Sequence, residues 1–91
     1  MPRYLVERDF PAGLHIPADK EGTKVCRLLV DVNAVDGVTW VHSYVSINKL
    51  KSFDIYDAPT PEAIRRVATR NKLPVSQITQ VLVLDPYFYS G

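Results

Sequence analysis

His42 stands at two-residue spacing between Trp40 and Tyr44 in the run Gly37-Val38-Thr39-Trp40-Val41-His42-Ser43-Tyr44-Val45. In an extended strand that spacing puts Trp40, His42 and Tyr44 on one face and Val41, Ser43 and Val45 on the other. An imidazole between two rings can ligate a metal, move a proton, or sit hydrogen-bonded in a core. Two carboxylates join it if the neighbouring strands share its face. Glu7 does so when Val6 faces the core, and Asp54 does so when Phe53 and Ile55 face the helices. One nitrogen and two oxygen donors (His42, Glu7 and Asp54) make a set for a divalent transition metal such as nickel. The same trio reads as a polar network that satisfies itself. It also reads as the working end of a small-molecule enzyme or ligand-binding barrel, with His42 as acid or base beside Tyr44. Trp40, Tyr44 and Tyr56 would then line a pocket or an interface.

The remaining reactive side chains carry less. His15 lies in a proline-bounded loop, Pro11 to Pro17, and reads as solvated. Cys26 falls at helical spacing with Val25 and Leu29, the pattern of a small buried hydrophobe, and no partner thiol exists for an intramolecular disulfide. No glycine-rich phosphate loop, nucleophile elbow or HExxH motif is present, and no organic cofactor is implied.

The elements that would position these groups follow from periodicity and punctuation. Residues 3–10 are rich in strand formers and stop at Pro11. A helix is expected from Ala18-Asp19, with Asp19 and Glu21 at its positive end and Val25, Leu28, Leu29 and Val32 as its inner stripe. Gly37 supplies the turn into the His42 strand. Lys51 to Asp57 alternates as the next strand. Thr60-Pro61-Glu62 is a strong helix start, followed by Ala63, Ile64, Val67 and Ala68 at core spacing. Pro74 ends that helix. Ser76 to Asp85 makes the last strand, whose apolar second half suggests an interior position. Tyr87-Phe88-Tyr89 forms an aromatic tail expected to pack on the domain or on a partner.

The order strand–helix–strand–strand–helix–strand is the ferredoxin-like arrangement, an α+β fold with a four-stranded antiparallel sheet and two helices on one face. It accounts for residues 1–91 as one domain. The uncovered face would expose more apolar surface than the few hundred Å² a monomer tolerates, so a homodimer packed through it, forming an α+β barrel, is expected.

Beyond this order, the opening Met1-Pro2-Arg3-Tyr4-Leu5-Val6-Glu7-Arg8, the block from Gly37 to Ser46, the run from Ile55 to Arg65 and the ending Leu84-Asp85-Pro86-Tyr87-Phe88-Tyr89 carry a resemblance. Together they resemble a group of short bacterial proteins classed as a domain of unknown function, one member of which is described as nickel-binding. The resemblance spans nearly the whole chain and implies a dimeric ferredoxin-like α+β barrel and a link to nickel.

Composition narrows the partners. Hydrophobic residues make up 46% of the 91 and charged residues 23%, with a net charge of +1. Nothing there draws the protein to nucleic acid or to an anionic membrane. Arg65, Arg66, Arg70 and Lys72 lie on a helix, away from the aromatic strand face, and the third strand lacks the RNA-recognition pattern. They read as a solvated face. The chain has no long apolar run and a start unlike a signal peptide, which makes a cytoplasmic location the expectation.

Overall fold

The chain forms β1 (Arg3–Asp9), α1 (Lys20–Ala34), β2 (Thr39–Val45), β3 (Lys51–Asp57), α2 (Pro61–Asn71), β4 (Gln77–Val81) and a short α3 (Pro86–Tyr89). This computed structural model describes residues 1–15 and 20–89, without the side chains of 20, 21, 88 and 89. The expected helix start at Ala18-Asp19, and the roles given to Asp19 and Glu21 there, lie outside the described residues. The strands form one antiparallel sheet in the order β2-β3-β1-β4. That order, with helices packed on one face, is the ferredoxin-like α+β fold expected from the sequence. Among the described residues no helix is long and apolar enough to cross a membrane.

The core lies between the central strands and α2. Tyr4 and Val6 of β1, and Tyr56 and Ala58 at the end of β3, meet Ala63, Ile64 and Val67 of α2. The local chemistry of α2 explains its bounds. Thr60 Oγ1 accepts a hydrogen bond from the Ala63 backbone N–H at 3.2 Å, Pro61 takes the first turn, and Lys72 closes the helix in the left-handed conformation. The β2–β3 connection has no two-residue turn signature; side chains add to its backbone hydrogen bonds, Lys49 N–H to Ser46 O at 2.8 Å and Ser46 N–H to Lys51 O at 2.9 Å. Ser46 Oγ donates to Asn48 Oδ1 at 2.7 Å and accepts from the Lys51 N–H at 3.0 Å.

Two expectations need correction. The inner stripe of α1 is Gly22, Cys26, Leu29, Val32 and Asn33, so Leu29 and Val32 face inward as expected while Val25 and Leu28 face outward. Asn33 sets that rotation: its carbonyl accepts from the Val38 N–H at 3.0 Å, and its side-chain oxygen accepts from Asn71 of α2 at 3.1 Å. The last strand is shorter than expected and lies at the sheet edge, leaving Leu82 93% exposed. In the aromatic tail, Tyr87 is exposed, and the side chains of Phe88 and Tyr89 lie outside the described residues.

Candidate functional site

Register decides which groups share a face. In β1, Tyr4, Val6 and Arg8 are buried toward the helices, and Leu5 and Glu7 point to the uncovered side, as expected. β3 has the parity opposite to that expected. Val6 pairs with Asp54 and Tyr4 with Tyr56, so Ser52, Asp54 and Tyr56 are buried toward the helices while Phe53 and Ile55 face out. β2 changes parity along its length. Trp40 pairs with Tyr56, but His42 pairs with Ile55, because an irregularity at Val41 inserts one extra residue. Trp40 therefore belongs to the covered side, and His42 and Tyr44 to the open one.

The trio drawn from the sequence is thus divided. His42 is exposed on the open face, edge-on to the Tyr44 ring at 5.2 Å between centroids. Glu7 shares that face, but β3 lies between its strand and that of His42. Two strand spacings, about 9.5 Å, separate them, and Glu7 is level with Tyr44 and not with His42. Asp54 lies on the opposite face. Among the described residues no three His, Cys, Asp or Glu side chains gather to hold a metal ion. His15 is exposed in its loop, with Nε2 at 3.2 Å from the Ala12 carbonyl.

Asp54 has a different partner. Arg8, only 2% exposed, donates from Nε to Asp54 Oδ2 at 2.6 Å, from Nη1 to the Pro74 carbonyl at 2.7 Å and from Nη2 to the Tyr56 hydroxyl at 3.2 Å. A guanidinium forks well to several oxygens, which is how it tolerates such depth. Burial pushes the Tyr56 hydroxyl above its ordinary value; Arg8 opposes the shift and Asp54 adds to it. Trp40 donates its indole N–H to Ser43 Oγ at 2.8 Å on the same side. A cavity of about 80 Å³ opens beside this network, bordered by Arg8, Ser52, Asp54, Tyr56 and Trp40. Arg8 was not singled out from the sequence, although a signal existed. It sits at core parity with Tyr4 and Val6, where a charge demands a buried counter-ion.

With this geometry in view, relationship can be judged. A family model described as nickel responsive protein SCO4226-like matches residues 4–81. The chain belongs to this family. The crystal structure of SCO4226 from Streptomyces coelicolor A3(2) superposes with a TM-score of 0.70 at 14% identity, covering 91% of this chain and 99% of that one. At that identity the likeness supports the fold alone. No curated protein matches the chain. The family spans β1 through β4, so both the open face and the Arg8 network fall within it.

Proposed function

We propose that this protein is a nickel-responsive homodimer in which the open sheet face is both the dimer interface and the metal-facing surface. The observation that carries the reading is the exposed His42 beside Tyr44, on a sheet face that also bears Glu7, Phe53 and Ile55, opposite the face on which α2 packs. Family membership supports the link to nickel. A twofold axis through that face doubles the donors to two imidazoles and two carboxylates, a nitrogen–oxygen set suited to a divalent first-row metal. Because each chain brings an incomplete set, metal binding and dimerisation are thermodynamically linked. Nickel should raise the dimer fraction, and dilution should weaken nickel binding.

Sedimentation with and without nickel, paired with calorimetric titration of wild type and His42→Ala, tests both halves. Wild type should dimerise more tightly with nickel present, and His42→Ala should lose both the heat of binding and the shift in assembly. A wild type that stays monomeric at micromolar concentration with nickel, or equal nickel binding by both proteins, removes this reading.

A further inference from the structure

We infer that the cavity beside Arg8 is a binding site for a small neutral carbonyl compound (an aldehyde, ketone or amide), separate from any metal chemistry on the open face. The argument begins with Ser52. Its side chain is 2% exposed, it borders the cavity, and its hydroxyl has no hydrogen-bond partner among the described residues. Buried hydroxyls are costly to leave unpaired, so the cavity is completed by something that bonds to Ser52.

The neighbouring groups define what that is. A guanidinium has five N–H donors, and Arg8 commits three of them, to Asp54, Pro74 and Tyr56. The Tyr56 oxygen accepts from Arg8, which leaves its own O–H to donate. This end of the cavity therefore offers the Ser52 and Tyr56 hydroxyls as donors beside the Arg8–Asp54 pair, whose carboxylate is already engaged by Arg8. It calls for an acceptor oxygen. Asp54 compensates the Arg8 charge at 2.6 Å, so the site has no net charge with which to hold a carboxylate. The other walls, among them Trp40, Leu29 and Leu73, are apolar and suit a hydrocarbon body. A dry cavity of about 150 Å³ accommodates benzene. At about 80 Å³ this one suits a probe the size of acetone, or the carbonyl end of a longer molecule.

The chain has a single tryptophan, and it borders the cavity, so its indole N–H is a local reporter. Acetone titrated into the full chain, followed by the Trp40 indole and Arg8 Nε–H resonances in ¹H–¹⁵N spectra, should give saturable shifts with affinity on the order of millimolar. Ser52→Ala removes one hydrogen bond and should weaken binding about tenfold. Leu29→Phe, which closes the cavity from α1, should abolish saturation; Ser52→Val provides the same closure from β3 should the helix variant fail to fold. Acetate should not compete. Shifts that rise linearly with acetone, or that are equal in wild type and both Ser52 variants, would mean that the cavity holds water only. Acetate binding as tightly as acetone would overturn the neutral class. None of these readouts depends on nickel, so they can fail or succeed apart from the open-face reading.

Discussion

Two Arg–Asp pairs bridge β1 and β3, one on each face of the sheet. Arg3 grips Asp57 from the open side, with Nε at 2.8 Å and Nη2 at 3.1 Å from the two carboxylate oxygens. Arg8 grips Asp54 from the covered side at 2.6 Å. Residue types, strands and distances are nearly the same. What differs is water: the Arg3 and Asp57 side chains are 35% and 27% exposed, against 2% and 10% for Arg8 and Asp54. In solvent the attraction is screened, and the ions gain little that hydration did not already supply. Away from solvent both ions have lost hydration, so each depends on the other and on the Pro74 carbonyl and Tyr56 hydroxyl for replacement. An ion pair's distance therefore says little about its contribution until its burial is known.

The largest effect should come from breaking the covered pair. Arg8→Ala strands the Asp54 carboxylate and should cost about 3–5 kcal/mol in urea unfolding, whereas Arg8→Met with Asp54→Leu, which removes both charges, should recover most of that. If the double variant is as unstable as the single one, the cost lies in packing and not in the orphaned charge.

A smaller effect should appear in alkali. Tyr56 is held above the ordinary tyrosine value of about 10, chiefly by burial. Below that value neither folded nor unfolded chain ionises there, and this group makes no pH-dependent difference. As pH rises past it, the unfolded tyrosine ionises first, and stability falls until the folded value is passed. Tyr56→Phe should flatten that decline in chemical denaturation above pH 10. Identical alkaline slopes for the two proteins would place the loss in other groups.

The open pair should give the smallest effect. The Arg3 hydrogen bond holds Asp57 below the usual carboxylate value. Its contribution is present above the unfolded carboxylate value and disappears as pH falls through the lower folded one. Asp57→Asn should lower Tm slightly at neutral pH, and the difference should close in acid. A loss as large as that of Arg8→Ala would erase the contrast between the two faces.

The element order was legible because its signals are local. Thr60-Pro61-Glu62 starts α2, Gly37 turns the chain at a φ of +71°, and Pro74 lies just past the end of α2. The facing of β3 was harder, since Phe53 and Ile55 on one side and Tyr56 with two small polar residues on the other both make plausible inner rows. Long-range charge pairing settles it. Arg8 shares parity with Val6 and pulls Asp54 and Tyr56 beneath the helices, and that pull is invisible within β3 alone. The rotation of α1 likewise depends on Asn33 meeting Asn71 from another helix. The basic residues of α2 fit the solvated reading only in part, because Arg66 and Arg70 both reach Asp36 beyond α1.

The extra residue at Val41 bears on how this strand can be compared across its family. A gap-free alignment of β2 with a relative whose strand is regular would set Trp40 in a column whose occupant points to the other side of the sheet. Aromatic identity in that column would then join a side chain under the helices to one facing outward, and a tryptophan shared there would say nothing about a shared role. Loss of the single codon for Val41 would instead make the strand regular, with Trp40 still opposite Tyr56 and His42 still opposite Ile55, each on its present face.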